Sequence, residues 1–174
     1  MSKLKHHPVW EVYDLHRDCR LNAKYWSKKL IRIRRFNLAF EYLIMMTAPG
    51  SAVAGVFFWQ TSIGEVIWKA LITITALLSI AKPLLKLSDR VANLQGVVIQ
   101  YRSLDHQLDQ LRNNIRRDAC YSQAMISTFK NVATQVEKLS ESEPIEDINS
   151  KLQKACFDQV NKEMPDKSFY IPSK

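Results

Sequence analysis

The chain has little glycine, with four residues among 174, and it contains no glycine-rich phosphate loop, paired-carboxylate motif or nucleophile elbow. In many enzymes these motifs carry phosphate binding, general acid–base chemistry and acyl transfer, and none of them can be assigned here. No catalytic machinery is therefore recognisable. We expect a protein that is not an enzyme and that needs no cofactor.

Cysteine and histidine are also scarce, and neither forms a pattern. The three cysteines are scattered, odd in number and without metal-ligand spacing: Cys19, Cys120 and Cys156. This argues against a disulfide framework and suits reduced thiols in a cytosol. No metal site is expected, and the four histidines are interpreted as ordinary surface residues: His6, His7, His16 and His106. The N-terminus lacks an apolar core, so no cleavable signal peptide is predicted.

The sequence does contain two apolar segments back to back, residues 36–59 and 66–85, separated only by a short link at residues 60–65. Lysines and arginines flank both outer sides of the pair, whereas the link has none. By the positive-inside rule, this charge pattern predicts a two-helix transmembrane hairpin with both termini in the cytoplasm.

The two segments fit a bilayer unequally. The first has about 24 residues, which form roughly 36 Å of helix and can span the hydrocarbon core with some tilt. The uninterrupted apolar run of the second, residues 70–81, has only about 12 residues, which suits a buried helix better. Lys69 and Lys82 at its ends can extend their aliphatic stems, so that the effective span approaches about 30 Å. A long buried hairpin of a soluble protein is the alternative interpretation.

Residues 1–35 carry much of the net charge of +8 and form the first predicted domain. Apolar residues recur there at helical spacing among cations, which predicts a basic amphipathic helix on anionic lipid headgroups. The cations expected at the membrane surface lie on both sides of the hairpin: Lys28, Lys29, Arg32, Arg34, Arg35, Lys82 and Lys86. Four aromatic residues are expected at the membrane interface: Trp10, Tyr13, Tyr25 and Trp26. The alternative is nucleic-acid binding, because cations interleaved with aromatics also suit phosphates and bases.

Small or polar residues recur four apart on both apolar segments, in two stripes: Thr47, Ser51 and Gly55 on the first segment, Thr75 and Ser79 on the second. Such stripes let helices approach closely. Pro49 removes a backbone hydrogen bond and predicts a kink in the first helix. In an oligomer of hairpins the stripes would line a pore. The alternative is that they pack the hairpin against itself.

Glu41 is the one charged residue within the first apolar segment, near its predicted cytoplasmic end. An intramembrane carboxylate is costly unless it is paired or hydrated, which makes Glu41 a functional candidate. A ring of Glu41 carboxylates at the mouth of a pore would favour cations. The alternative is an ion pair with Arg34, Arg35 or Lys82.

From residue 86 onward the sequence predicts a cytosolic helical bundle. Its longest helix carries an apolar stripe at heptad-like spacing: Leu87, Val91, Leu94, Val98, Tyr101, Leu104, Leu108, Leu111 and Ile115. Two further helices are predicted at residues 121–139 and 145–164, with Pro144 at the start of the last one and a break after Met164. The predicted fold class is therefore all-α, with three domains at residues 1–35, 36–85 and 86–174.

This arrangement resembles the SLATT family and related two-transmembrane effectors of bacterial anti-phage systems, including CBASS systems and some retrons. The resemblance rests on the segment VWEVYDLHRDCRLNAKYW, on the apolar residues 36–85 and on helices that end near Met164. It implies a non-enzymatic homo-oligomeric toxin that permeabilises or depolarises the bacterial inner membrane and causes abortive infection.

The resemblance also implies a separate sensor or inhibitor, because no attached sensor domain is expected from the sequence. That partner would be the reverse transcriptase and non-coding DNA–RNA of a retron, or a nucleotide-signalling protein. A second function class stays open beside the pore: a non-conducting membrane-anchored scaffold that recruits a cytosolic protein or nucleic acid. Membrane lipids are expected partners in both cases.

Overall fold

The computed structural model describes residues 7–46, 62–144 and 148–172, and all regular structure within these ranges is helical. The α-helices are, in chain order, α1 (Val9–Met46), α2 (Ser62–Leu85), α3 (Leu87–Asp118), α4 (Gln123–Glu141) and α5 (Ser150–Glu163). A 3-10 helix, Asp166–Ser168, follows α5. The predicted all-α class is confirmed for this part of the chain.

Side chains that accept hydrogen bonds from free backbone N–H groups mark the starts of α1, α4 and α5. Nδ1 of His7 accepts from the N–H of Val9 at 3.2 Å, and Oγ of Ser122 accepts from the N–H of Met125 at 3.4 Å. Oδ1 of Asn149 accepts from the N–H of Leu152 at 3.0 Å. Because Asn149 caps α5, this helix begins at Ser150. The prediction that Pro144 starts the last helix is therefore wrong.

Two residues other than glycine adopt a left-handed backbone conformation at helix ends. Lys86 has a φ of 45° between α2 and α3, and Ala119 has a φ of 50° just after α3. A single residue in this region turns the chain out of the helical path, so it ends the preceding helix.

The chain divides into two units. We call the first the bundle unit (Met1–Lys29 and Leu94–Lys174) and the second the apolar unit (Leu30–Asn93). The sequence predicts domain boundaries after residues 35 and 85. In the structure α1 passes residue 35 without interruption.

The core of the bundle unit is built around α3. Seven members of the predicted α3 stripe are buried there: Leu94, Val98, Tyr101, Leu104, Leu108, Leu111 and Ile115. Helix α1 contributes valines and aromatic residues, α4 contributes Val132 and Leu139, and α5 contributes Cys156 and Val160. The heptad-like stripe thus identified the packing face of α3 correctly. Of the neighbouring residues Ala155 and Cys156 in α5, Cys156 is the buried one.

Three of the four aromatic residues that were predicted at a membrane interface belong instead to this core. These three are at most 6% exposed: Tyr13, Tyr25 and Trp26. The ring of Tyr13 stacks on Phe169, with centroids 4.2 Å apart and planes 5° apart. The Tyr13 hydroxyl donates a hydrogen bond to the backbone carbonyl of Tyr170. These contacts fasten the segment after α5 onto the start of α1.

Among the residues that the structure describes, no helix is both long enough and apolar enough to cross a membrane. The predicted transmembrane hairpin is therefore unsupported, and the predicted localisation, a multi-pass inner-membrane protein with both termini in the cytoplasm, is wrong. The physical reason is visible in α2, where the apolar run at residues 70–81 measures about 18 Å. The hydrocarbon core is about 30 Å thick. The predicted span reaches this thickness only if the stems of Lys69 and Lys82 are counted. The first predicted span, residues 36–59, is described only as far as Met46.

Candidate functional site

A cluster of titratable side chains lies inside the bundle unit, where α1 packs against α3. His16 is fully buried, and its Nε2 lies 3.0 Å from Oδ1 of Asp105. Arg20 donates from Nε to the same oxygen at 3.0 Å and from Nη2 to Oδ2 at 3.4 Å. His16 and Arg20 are four residues apart, so they share one face of α1 and converge on one carboxylate.

Opposing effects act on the Asp105 carboxyl group. Burial raises its pKa, whereas the hydrogen bonds from His16 and Arg20 and the positive charge of Arg20 lower it. The lowering effects together are larger, so the pKa of Asp105 lies below its ordinary value of 3.8. An ionised Asp105 therefore joins α1 to α3. The second ring nitrogen of His16, Nδ1, is buried and has no hydrogen-bond partner among the described atoms.

Cys19 lies one turn after His16 on α1, but its surroundings keep it a thiol. Burial and the nearby carboxylates of Asp105 and Asp18 raise the pKa of Cys19 to about 12. Because the thiolate is the reactive form, a buried thiol of this kind is a poor nucleophile at neutral pH. We therefore interpret Cys19 as a core residue. In the described ranges, no three His, Cys, Asp or Glu side chains are placed to hold a metal ion together.

An open groove of about 400 Å³ lies beside this cluster and is lined by residues of α1, α3 and α5. We call it the basic groove. Four cations and two carboxylates line it: Arg20, Lys24, Lys28, Arg102, Asp105 and Glu163. Both carboxylates are paired within the groove, Asp105 with Arg20 and Glu163 with Lys24 at 2.8 Å. The hydrogen bond from Lys24 lowers the pKa of Glu163, so this carboxylate is ionised as well.

The other two cations of the basic groove contact neutral groups. The Lys28 ammonium donates to Oε1 of Gln159 at 3.4 Å, and the Arg102 guanidinium donates to Oγ of Ser27 at 3.1 Å. Four positive and two negative side chains leave the lining with a surplus of two positive charges.

A second polar cluster forms around Glu143, just after α4. Its Oε1 accepts hydrogen bonds from the Tyr101 hydroxyl at 2.6 Å and from Nε1 of Trp26 at 3.0 Å. Burial and the Glu143 carboxylate raise the pKa of Tyr101 well above its ordinary value of 10.0, so the hydroxyl remains a donor. Glu143 thus links the end of α4 to α1 and α3.

The candidate pore residues make local contacts where the structure describes them. Asn37 donates a hydrogen bond to Oε1 of Glu41 at 3.1 Å, one turn away on α1. Thr75 and Ser79 donate from their hydroxyls to carbonyls one turn earlier in α2, at 2.8 and 2.9 Å. Four other candidates lie outside the described residues: Thr47, Pro49, Ser51 and Gly55. The pore and helix-packing roles stay predictions.

The predicted membrane-surface cations are distributed over both units. The ammonium of Lys29 lies 5.7 Å from the ring centroid of Tyr25 and 5.1 Å from that of Trp26, a cation–π geometry. Lys28 lines the basic groove. Four further cations are exposed in the apolar unit: Arg32, Arg34, Arg35 and Lys86. The side chain of Lys82 is outside the described part of the chain.

The apolar unit holds most of the large hydrophobic side chains that the described chain exposes: twelve lie there and three in the bundle unit. On α2 the exposed fractions run from 46% to 74%, for Ile63, Val66, Ile67, Ile72, Ile74, Leu77 and Ile80. Single exposed apolar residues are ordinary on protein surfaces, but a concentration of this kind marks an interaction surface.

Sequence reasoning missed both polar clusters. The prediction that His16 is a surface residue is wrong, although a signal was present: Val9, Val12, His16 and Cys19 recur at helical spacing on the buried face of α1. Asp105 gave no comparable signal, because 85 residues separate it from Arg20.

Comparison with known proteins gives no relative from which a function could be taken. No family model matches the sequence, and neither the curated proteins nor the solved structures show a significant match. The resemblance to the SLATT family therefore stays a prediction.

Proposed function

We propose that this chain is a non-enzymatic assembly subunit whose copies associate through the apolar unit, while the bundle unit supplies the stable folded body. One observation supports this proposal above the others. Twelve large hydrophobic residues of the apolar unit are exposed, and no segment of the described chain covers them. Water exposure of so many apolar side chains is unfavourable, and association removes it.

The free energy gained by burying one apolar side chain is small, so association requires a broad contact. Burying a half-exposed Ile, Leu or Val side chain contributes about 1 kcal/mol. Association costs on the order of 4–15 kcal/mol in lost freedom of motion. No single residue offsets this cost, so many of the twelve must be covered together.

A second copy of the chain is the partner that fits this surface. Residues 70–81 of α2 carry no charge, so the α2 part of the surface offers no charge pattern that would select a different protein. The hydroxyls of Thr73, Thr75 and Ser79 all donate to carbonyls of α2 itself. Covering them therefore leaves no unsatisfied donor. Another copy presents the same uncharged face, and symmetric homodimers are the commonest oligomers.

Paired substitutions on α2 test this proposal. Leu77 and Ile80 are 63% and 66% exposed, so glutamine at both positions removes apolar surface without disturbing a core. We expect the Leu77→Gln/Ile80→Gln chain to sediment as a 20.2 kDa monomer at concentrations where the unsubstituted chain is oligomeric. Glutamine keeps good helix propensity, so α2 should remain helical.

The matched control makes the same kind of change on exposed apolar residues of the bundle unit. Ile99 and Phe157 are 58% and 49% exposed, and the Ile99→Gln/Phe157→Gln chain should remain oligomeric. Equal masses for the two double variants would contradict a role of the apolar unit in assembly.

A second candidate function is contact with anionic lipid headgroups, without crossing of the bilayer. The observation that favours it is the alternation of exposed Arg32, Arg34 and Arg35 with exposed Ile31 and Phe36 on α1. Each such cation gains on the order of 1 kcal/mol near an anionic surface. We expect co-sedimentation with phosphatidylglycerol vesicles that falls when these arginines are changed to glutamine. Equal binding to phosphatidylcholine vesicles would exclude the electrostatic part.

The anti-phage effector role that the resemblance implies is compatible with assembly but stays a prediction, as does the separate sensor or inhibitor. Its membrane-crossing step is not carried over, because the described helices do not meet the requirement for a span.

A further inference from the structure

We propose that the basic groove binds a small phosphorylated anion. The groove lies wholly within the bundle unit, so this proposal does not depend on assembly through the apolar unit.

The charge balance of the groove is the first argument. Asp105 and Glu163 already bind Arg20 and Lys24, so those four side chains neutralise one another. Lys28 and Arg102 contact only neutral groups among the contacts that the structure gives them. Two cations beside one concave surface attract an anion of about two charges, since phosphate oxygens accept hydrogen bonds from both types of cation.

The neighbouring neutral side chains hold the two cations in position. The Ser27 hydroxyl donates to the Ala23 carbonyl at 2.6 Å, which leaves its oxygen free to accept from Arg102. The Gln159 amide donates to Glu163 at 3.0 Å, which turns its oxygen towards Lys28. The cations are thus oriented before a ligand arrives, and this reduces the entropy lost on binding.

The dimensions favour a small ligand over a nucleic acid. A volume of about 400 Å³ lies within the range of small-molecule sites, about 300–1,000 Å³. A protein that follows a nucleic-acid backbone typically neutralises roughly six to ten phosphates. Two uncompensated cations match a single phosphate or diphosphate group.

Calorimetric titration of the full chain with sodium pyrophosphate at low ionic strength tests the proposal. We expect saturable binding with one site per chain. The Lys28→Gln/Arg102→Gln chain should bind at least about tenfold more weakly, because each change removes a charge-assisted hydrogen bond. Both side chains are exposed, so circular dichroism should show an unchanged fold and melting temperature.

A matched control changes a lysine outside the groove. Lys130 is exposed on α4, and the Lys130→Gln chain should bind pyrophosphate as tightly as the unsubstituted chain. The proposal is overturned if pyrophosphate shows no saturable binding, or if the groove variant and the Lys130 control bind equally. Binding of a single-stranded oligonucleotide without binding of pyrophosphate would also overturn it.

Discussion

Replacing Asp105 with alanine should lower the free energy of unfolding by about 3 kcal/mol, because it removes the acceptor shared by the buried His16 side chain and the partly buried Arg20 guanidinium. His16 and Arg20 converge on this carboxylate, and the His16 side chain is fully buried. Arg20 is 23% exposed and can turn partly towards water, which keeps the effect at the lower end of the range for broken buried ion pairs. Urea denaturation followed by circular dichroism measures the change.

Asp109, one turn later on α3, is the matched control for Asp105. It pairs with Arg112 at 2.8 Å, three residues away and 30% exposed. Pairs of this kind contribute less than about 1 kcal/mol, so the Asp109→Ala chain should remain close to the unsubstituted chain in stability. Similar losses in the two variants would mean that the buried cluster gives no special stabilisation.

The pH dependence of the Asp105 effect has a definite sign. The pKa of Asp105 is lowered in the folded state, so its contribution is present above the unfolded value of 3.8 and is lost as pH falls through the lower folded value. The stability difference between the unsubstituted and Asp105→Ala chains should therefore shrink as the pH falls below about 4. A difference that grows as the pH falls below about 4 would contradict this assignment.

The Glu143→Ala substitution should also lower the free energy of unfolding by about 3 kcal/mol. It removes the acceptor of two donors, the Tyr101 hydroxyl and the Trp26 indole N–H. Tyr101 is fully buried and Trp26 is 6% exposed, so water cannot readily replace the carboxylate. Each buried donor without a partner costs about 1–3 kcal/mol.

Glu141 provides the control for Glu143, because it is exposed at the end of α4 and carries the same side chain. The Glu141→Ala chain should change stability by less than about 0.5 kcal/mol. In a chain that already carries Tyr101→Phe, the Glu143 substitution should cost about 1 kcal/mol less, since one donor is gone. Strictly additive effects would show that the hydrogen bond between Tyr101 and Glu143 is not formed.

The parts of the fold that could be predicted are helices whose apolar residues repeat at a regular spacing. Leu94, Tyr101, Leu108 and Ile115 repeat at heptad-like spacing, and this spacing alone identified the buried face of α3. The sequence predicts too early a start for α5, because Pro144 is a strong local start signal. In the structure the Asn149 side chain caps the helix instead.

The candidate site could not be predicted, because its contacts join distant segments. Trp26 and Glu143 are 117 residues apart, and Tyr13 and Tyr170 are 157 apart. The same aromatic and basic residues fit both a membrane-interface helix and the face of a buried helix, and hydropathy does not separate the two. The lysines and arginines beside the two apolar segments favour a membrane hairpin. The described helices do not support this hairpin.

Site-directed cross-linking between copies tests the central claim, assembly through the apolar unit, most directly. Cys19 and Cys156 are buried, so a Cys120→Ser background leaves no accessible native thiol among the three. A Leu77→Cys substitution in this background, treated with a short bis-maleimide, should give a covalent dimer of about twice 20.2 kDa. The Ile99→Cys control, on a similarly exposed residue of the bundle unit, should remain monomeric. No dimer from position 77, or equal dimer from positions 77 and 99, would contradict the account.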